Sequence, residues 1–126
     1  MLKDKSSSAI VAVSDISRAR DFYKNTLGLE LIDDSMGEVL VFRTGDTQLV
    51  VYVSEFSGTN KANAAVWGVG GEIDAIVAAL KGKGVTFEHY ADSPDMRLEG
   101  DTHVAGKMKL VWFEDPDGNI LHLNSM

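Results

Sequence analysis

Three histidines, His89, His103 and His122, are candidates for acid-base or metal chemistry, and the 126 residues include no cysteine. The absence of cysteine removes disulfides, thiolate metal ligands and cysteine nucleophiles together. His122 lies in the last apolar run, VWFEDPDGNILHLNSM, where an imidazole can serve as a hydrogen-bond partner or general base. No second catalytic group is identifiable. The alternative is a core or rim histidine that bonds a neighbour.

A predicted hairpin of two strands, residues 108–113 and 120–124, positions His122. In its turn, Pro116 fixes φ, Asp117 can bond back to the backbone, and Gly118 supplies the positive φ of a tight hairpin. Strand alternation then places Ile120, His122 and Asn124 on one face, while the leucines between them pack against a helix.

The first half of the chain predicts a βαβββ unit. Residues 9–13 form a strand, Asp15 caps the following helix, and Gly28 ends it. The helix is predicted near residues 16–27, from apolar residues spaced three and four apart: Ile16, Ala19, Phe22, Tyr23 and Leu27. Strands at residues 29–32, 38–43 and 48–53 complete the unit.

The second half repeats this order, with strands at residues 64–69, 85–90, 108–113 and 120–124 and a helix near residues 73–81. VLVFRTGDTQLVVYVS aligns without a gap on LVWFEDPDGNILHLNS, which places Phe42 on Phe113. The alternative is that any two hairpins align this well. We predict an α+β fold of two βαβββ modules, residues 8–55 and 62–124, within one domain of residues 1–126.

Charge and hydropathy limit the partners. The 12 Lys and Arg against 19 Asp and Glu give a net charge of −7, and the basic residues do not cluster. Nucleic acid and anionic membranes are therefore poor partners. No apolar run approaches the ~20 residues of a membrane span. We expect a cytoplasmic protein that binds neither nucleic acid nor membrane.

The segments VSDISRARDFYKNTLGLEL and FEDPDGNILHL, at the front and end of the repeat, resemble the vicinal oxygen chelate superfamily of glyoxalases, bleomycin-resistance proteins and extradiol dioxygenases. The resemblance implies paired, curled mixed sheets around a shared cavity, helices outside, and a homodimer. In metal-using members, inward-facing His, Glu or Gln side chains from the first and last strand of each module hold a divalent cation. The corresponding positions here are Ser8, Val51, Ala64 and His122.

Those positions disfavour the metal. A catalytic divalent site needs about three nitrogen, sulfur or carboxylate donors, and only His122 supplies a good one. We therefore predict no metal cofactor, which also argues against a glyoxalase or dioxygenase mechanism, because both depend on the ion. An atypical metal site remains the alternative.

Strand parity predicts a mainly apolar pocket of the kind that binds small molecules, with Ser8, Ile10, Val51, Ala64 and His122 in its lining. Aromatic residues nearby can stack on a flat ligand or belong to the core or a dimer interface: Phe42, Phe113, Trp112, Trp67, Tyr52 and Tyr90.

Residues 91–107, ADSPDMRLEGDTHVAGK, show no strand or helix pattern and form the longest such stretch. We predict a lid that brings Arg97 or His103 near the ligand. The alternative is a solvated connector.

Three functions stay open. The first is a binding protein of the bleomycin-resistance kind that sequesters a small molecule without metal. The second is a lyase, isomerase or dioxygenase that uses His122 or an atypical metal site. The third is a regulatory or partner-binding domain.

Overall fold

A computed structural model describes all 126 residues and arranges them in two compact units. The first unit contains Met1–Asn60 and Pro116–Asn119, and the second contains Lys61–Asp115 and Ile120–Met126. Each unit holds one mixed sheet and one principal helix, so the predicted α+β class is confirmed. No helix has the length and apolar character needed to cross a bilayer.

The first unit has a four-stranded sheet in the order β1-β4-β3-β2, with β1 parallel to β4 and the other pairs antiparallel. Its elements are β1 (Ala9–Val13), α1 (Ile16–Asp21), β2 (Glu30–Asp33), β3 (Val39–Thr44) and β4 (Thr47–Val53). One face of the sheet is buried with the helix and forms the core: Val11, Val13, Ala19, Tyr23, Leu40, Phe42, Leu49 and Val51.

The helix of this unit begins as the sequence predicts. The Asp15 carboxylate accepts a hydrogen bond from the Arg18 backbone N–H at 3.0 Å, which satisfies a free amide of the first turn. After Asp21 the helix widens into a π-helical turn, Phe22–Thr26, and the Leu27 N–H donates to the Phe22 carbonyl. Gly28 follows with φ of 74°, the left-handed conformation expected at a helix end.

The turn Pro116–Asn119 belongs to the first unit and is bonded to its helix start. The Asp117 carboxylate accepts from the Ser14 backbone N–H at 2.9 Å and from the Arg18 guanidinium at 3.1 Å. Asn119 donates to the Ala12 carbonyl at 2.7 Å. The predicted turn therefore acts as a tertiary anchor as well as a local reversal.

The second unit has a five-stranded sheet in the order β5-β9-β8-β7-β6, with β5 parallel to β9. Its elements are β5 (Asn63–Gly68), α2 (Ile73–Gly82), β6 (Arg97–Glu99), β7 (Thr102–Ala105), β8 (Met108–Glu114) and β9 (Ile120–Asn124). The core of this unit consists of apolar side chains from α2 and from one sheet face, mainly Ile73, Val77, Leu80, Phe87, Val111, Phe113, Leu121 and Leu123.

Two predictions in this unit are wrong. Residues 85–90 do not form a strand. Phe87 makes a single β-bridge to Phe113, and the Glu88 backbone N–H donates to the Trp112 carbonyl. Residues 91–107 are not devoid of strands, because they contain the hairpin of β6 and β7 around Gly100. β7 pairs with the first three residues of β8, as far as Leu110, and Phe87 bridges to the same edge farther along, at Phe113.

The Asp101 carboxylate ties the β6–β7 turn to α2 through Lys81 and to the segment after α2 through His89. Asp101 accepts from Lys81 at 2.6 Å and from His89 at 2.7 Å. The hydrogen bonds from Lys81 and His89 lower the pKa of the Asp101 carboxyl below its ordinary value. The folded state therefore favours the ionised carboxylate and binds a proton less readily than the unfolded chain does.

Replacing Asp101 with asparagine should lower the free energy of unfolding at pH 7 by up to about 1 kcal/mol, the scale of exposed ion pairs. The wild type is more stable than the variant above about pH 4, where Asp101 is ionised in the unfolded chain as well. This difference in unfolding free energy disappears as the pH falls through the lowered pKa of Asp101 in the folded state. Urea denaturation between pH 7 and pH 2.5 measures the difference in unfolding free energy between the wild type and Asp101→Asn. Asp34→Asn, which removes a pair to Arg20 at 3.3 Å, is the control. A free-energy difference that stays constant down to pH 2.5 would contradict the stabilising role of the ionised Asp101 carboxylate.

Candidate functional site

The two faces of the second unit's sheet differ in chemistry. Residues directly opposite each other on neighbouring strands share a face, and residues alternate between faces along each strand. The helix-facing side carries the buried core, including Val111, Phe113 and Leu121. The other side, the histidine face, carries Val66, His103, Trp112, His122 and Asn124.

His122 is almost fully buried, with 7% of its surface exposed. Its Nδ1 lies 3.0 Å from the Val111 carbonyl oxygen, which can only accept, so Nδ1 carries the proton. The Asn124 side-chain oxygen accepts from the Met126 N–H, so the Asn124 amide nitrogen is directed at His122 Nε2, 3.4 Å away. His122 is therefore a neutral imidazole whose Nε2 lone pair holds only a long hydrogen bond.

Trp112 is the centre of an aromatic cluster on the histidine face. Its indole stacks on the His122 ring with centroids 4.6 Å apart and planes inclined by 17°. The rings of His103 and Tyr90 meet it edge-on at 5.1 Å and 5.3 Å. This geometry arises because Trp112 pairs directly with His122 on the neighbouring strand. The indole thus has flat aromatic contacts on one side and edge contacts beside it.

His103 has no exposed surface. Its Nε2 accepts a hydrogen bond from the Tyr90 backbone N–H at 2.9 Å, so Nε2 carries no proton. Nδ1 must then carry the proton of the neutral ring, and this buried N–H has no hydrogen-bond partner. His103 therefore ties the irregular segment around Tyr90 to β7 and keeps one donor unsatisfied.

Tyr90 lies against His103 and Trp112 on this face, and 40% of its surface is exposed. Its ring lies 5.5 Å from the ring of His103. Burial raises the pKa of the Tyr90 phenol, and the carboxylates of Glu88 and Glu114 add to the rise. The phenol therefore stays protonated at neutral pH.

In the first unit, the gapless alignment of the two hairpins assigns Val51 to the wrong face of the sheet. Val51 pairs with Val11 and is fully buried in the core, so it does not occupy the face that corresponds to His122. Phe42 pairs with Leu49, whereas Phe113 pairs with Leu121, so the second hairpin holds one residue more. That extra residue shifts the match in the last strand, and the position equivalent to His122 is Val50.

The remaining predicted residues are dispersed. Ser8 is exposed and precedes β1, and Ile10 is exposed on β1 opposite Val50. Ala64 lies at an irregularity of β5, and Val66 rather than Ala64 stands opposite His122. Arg97 pairs with Val104, which places it on the face away from His103, and it forms an ion pair with Glu99.

Of the predicted residues, the structure brings His103 and His122 together, one on either side of Trp112. Their role in ligand binding stays a prediction. Sequence reasoning considered Trp112 and Tyr90 but did not assign them. The signal for Trp112 was the hairpin itself, because Trp112 is the direct cross-strand partner of His122. No comparable signal existed for Tyr90, which lies outside the regular strands.

The chemistry of the implied metal positions can be tested against these placements. The side chains of Val51 and Ala64 have no atoms that can ligate a metal. The same is true of Val50, the repeat equivalent of His122, and of Val66, its partner on β5. No group of three or more His, Cys, Asp or Glu side chains lies in an arrangement able to hold a metal ion. These residues do not fit the divalent cation of the metal-using relatives.

A family model described as the Glyoxalase/Bleomycin resistance protein/Dioxygenase superfamily matches residues 6–123. The chain belongs to this superfamily. The resemblance inferred from the two sequence segments is thereby confirmed. No curated protein matches the sequence.

Several solved structures have the same fold. A lactoylglutathione lyase from Agrobacterium tumefaciens is 18% identical, with a TM-score of 0.71 over 96% of this chain and 92% of that one. A glyoxalase/bleomycin resistance protein/dioxygenase from Alicyclobacillus acidocaldarius is 19% identical, with a TM-score of 0.73 over 96% and 90%. The fosfomycin resistance protein FosX from Mesorhizobium loti is 13% identical, with a TM-score of 0.70 over 100% and 94%. At these identities the likeness concerns the fold.

Proposed function

We propose that this member of the glyoxalase superfamily binds a small organic molecule on the histidine face without a metal ion. The carrying observation is Trp112 between two neutral histidines, stacked on His122 and edge-on to His103. An indole with polar neighbours provides a large apolar contact and a few hydrogen-bonding atoms, which is the usual composition of a small-molecule site.

The metal-free part of the proposal rests on donor chemistry. His122 Nδ1 is bonded to a backbone carbonyl, and its Nε2 is directed at an amide. The positions around it on neighbouring strands are Val66 and Trp112, neither of which ligates a divalent cation. Binding on this face therefore depends on stacking and hydrogen bonds.

An enzymatic role is the second candidate, and one observation favours it. The Nε2 lone pair of His122 holds only a long contact of 3.4 Å, so a ligand that displaces Asn124 gains a neutral imidazole base. Lyase or isomerase chemistry by proton abstraction would use that atom. The predicted homodimer and cytoplasmic location also stay predictions.

The two tryptophans allow a direct test. Trp112 lies on the histidine face, whereas Trp67 pairs with Leu123 and lies on the opposite face of the same sheet. A fragment library screened by ¹H–¹⁵N spectra of the two indole N–H groups should give hits that shift Trp112 and leave Trp67 unchanged. Trp112→Leu should weaken those hits at least ten-fold. Hits that shift Trp67 alone, or no hits at Trp112, would contradict the proposal.

A further inference from the structure

We propose that His103 is the donor that selects the ligand of the histidine face, and that this ligand is a planar, uncharged or cationic molecule carrying a carbonyl or ring-nitrogen acceptor. This inference rests on the proposed function, since it names the ligand class of the same site. It gives His103 a specificity role separate from that of His122.

The hydrogen bonds around His103 fix which atom can meet a ligand. Nε2 is occupied by the Tyr90 backbone N–H at 2.9 Å. A ring nitrogen that accepts from a backbone amide is unprotonated, so the proton of the neutral ring lies on Nδ1. Nδ1–H is therefore a donor of fixed identity, and an acceptor on the ligand is its natural partner.

The burial of His103 explains why this donor is unusual. Buried polar groups in native proteins nearly always have a partner, and an unsatisfied donor is costly. Nδ1 of His103 is buried without one, beside an indole that offers stacking area. A ligand that stacks at Trp112 and accepts from Nδ1–H would remove that cost. A ligand without an acceptor would leave it in place.

Tyr90 is placed to admit such a ligand. Its ring packs on both His103 and Trp112, yet the side chain is partly exposed and belongs to a segment without regular structure. The Tyr90 backbone N–H donates to His103 Nε2, so the Tyr90 side chain can turn away from the rings of His103 and Trp112 without breaking that hydrogen bond. In the proposed complex the Tyr90 side chain turns aside when the ligand binds.

Charge narrows the ligand class further. Glu88 and Glu114 raise the pKa of the Tyr90 phenol electrostatically, so both carboxylates lie near Tyr90. The whole chain carries a net charge of −7. An anionic acceptor would meet repulsion at this entrance, whereas a neutral or cationic one would not.

Two flat tricyclic probes isolate the donor. Acridone and carbazole both carry a ring N–H, and only acridone carries a carbonyl acceptor. We expect the wild-type protein to bind acridone about ten-fold more tightly than carbazole, the ratio that one hydrogen bond supplies. In spectra of protein labelled with ¹⁵N-histidine, the Nδ1–H signal of His103 should move with acridone and not with carbazole.

The variant test removes the donor. In His103→Met the side chain has no N–H to donate, while its thioether sulfur can still act as a weak acceptor for the Tyr90 N–H. The acridone preference should fall to about one-fold in this variant. His89→Gln, which changes an exposed histidine paired with Asp101, should retain it.

The outcomes separate the inference from the function on which it rests. If both probes bind equally and shift the Trp112 indole, the histidine face binds ligands and the role of His103 is wrong. If neither probe shifts Trp112, the proposed ligand class is wrong, and the proposed function falls as well only if the fragment library also leaves Trp112 unchanged. The wild-type labelling result decides the role of His103 even if His103→Met does not fold.

Discussion

Replacing Phe113 with alanine should lower the free energy of unfolding by about 3 to 5 kcal/mol. Phe113 is 1% exposed and packs edge-on against Phe87 at 5.7 Å. Truncation leaves a cavity behind β8, the strand that also carries Trp112. Urea denaturation followed by circular dichroism at 25 °C measures the loss.

Phe56→Ala is the matched control for this prediction. Phe56 is 69% exposed, so the same truncation removes little buried surface and should change the free energy of unfolding by less than about 0.5 kcal/mol. A loss below about 1 kcal/mol for Phe113→Ala would show that Phe113 is not part of a closely packed core.

Replacing Gly58 with alanine should destabilise the first unit by about 2 to 4 kcal/mol. Gly58 has φ of 73°, where a side chain is strained, and a Cβ there would collide with the Asp117 carbonyl oxygen. To relieve the collision, either the chain at residue 58 or the Pro116–Asn119 turn must shift, and a shift of the turn would strain the bonds that Ser14 and Arg18 donate to Asp117. Thermal unfolding of the variant measures the loss.

Gly45→Ala separates the backbone strain from the collision. Gly45 has φ of 55° but nothing within 4 Å of its Cβ position, so only the strain of about 1 to 2 kcal/mol applies. Gly58→Ala should be clearly less stable than Gly45→Ala. Equal stability of the two variants would mean that the contact between Gly58 and the turn contributes nothing.

Periodicity and turn chemistry predicted most of the fold. The apolar spacing from Ile16 to Tyr23, capped by Asp15, gave the first helix, and the alternation in Ile120–Asn124 gave the last strand. The β6–β7 hairpin was missed because its strands are three and four residues long and carry charged side chains. Residues 85–90 resembled a strand, but β7 pairs with the first part of that edge of β8, and only Phe87 bridges to the rest.

The site was less predictable, because a face assignment depends on register. A hairpin with one additional residue moved the equivalent of His122 from Val51 to Val50, which reverses the face. His103 lay in a segment treated as a loop, so its position beside Trp112 had no sequence signal. His122 was identified because it is the histidine of the last strand and lies at the position, four residues after Gly118, that the superfamily resemblance implies.

The most direct test of metal-independent ligand binding is the titration of ¹⁵N-labelled protein, dialysed and kept in EDTA, with the best fragment found at Trp112. We expect the Trp112 indole signal to shift saturably while the Trp67 signal stays unchanged. Adding one equivalent of Zn²⁺, Ni²⁺, Mn²⁺ or Fe²⁺ after EDTA is removed should not tighten binding. A Trp112 shift that is absent in EDTA and restored by one equivalent of metal would contradict metal-independent binding.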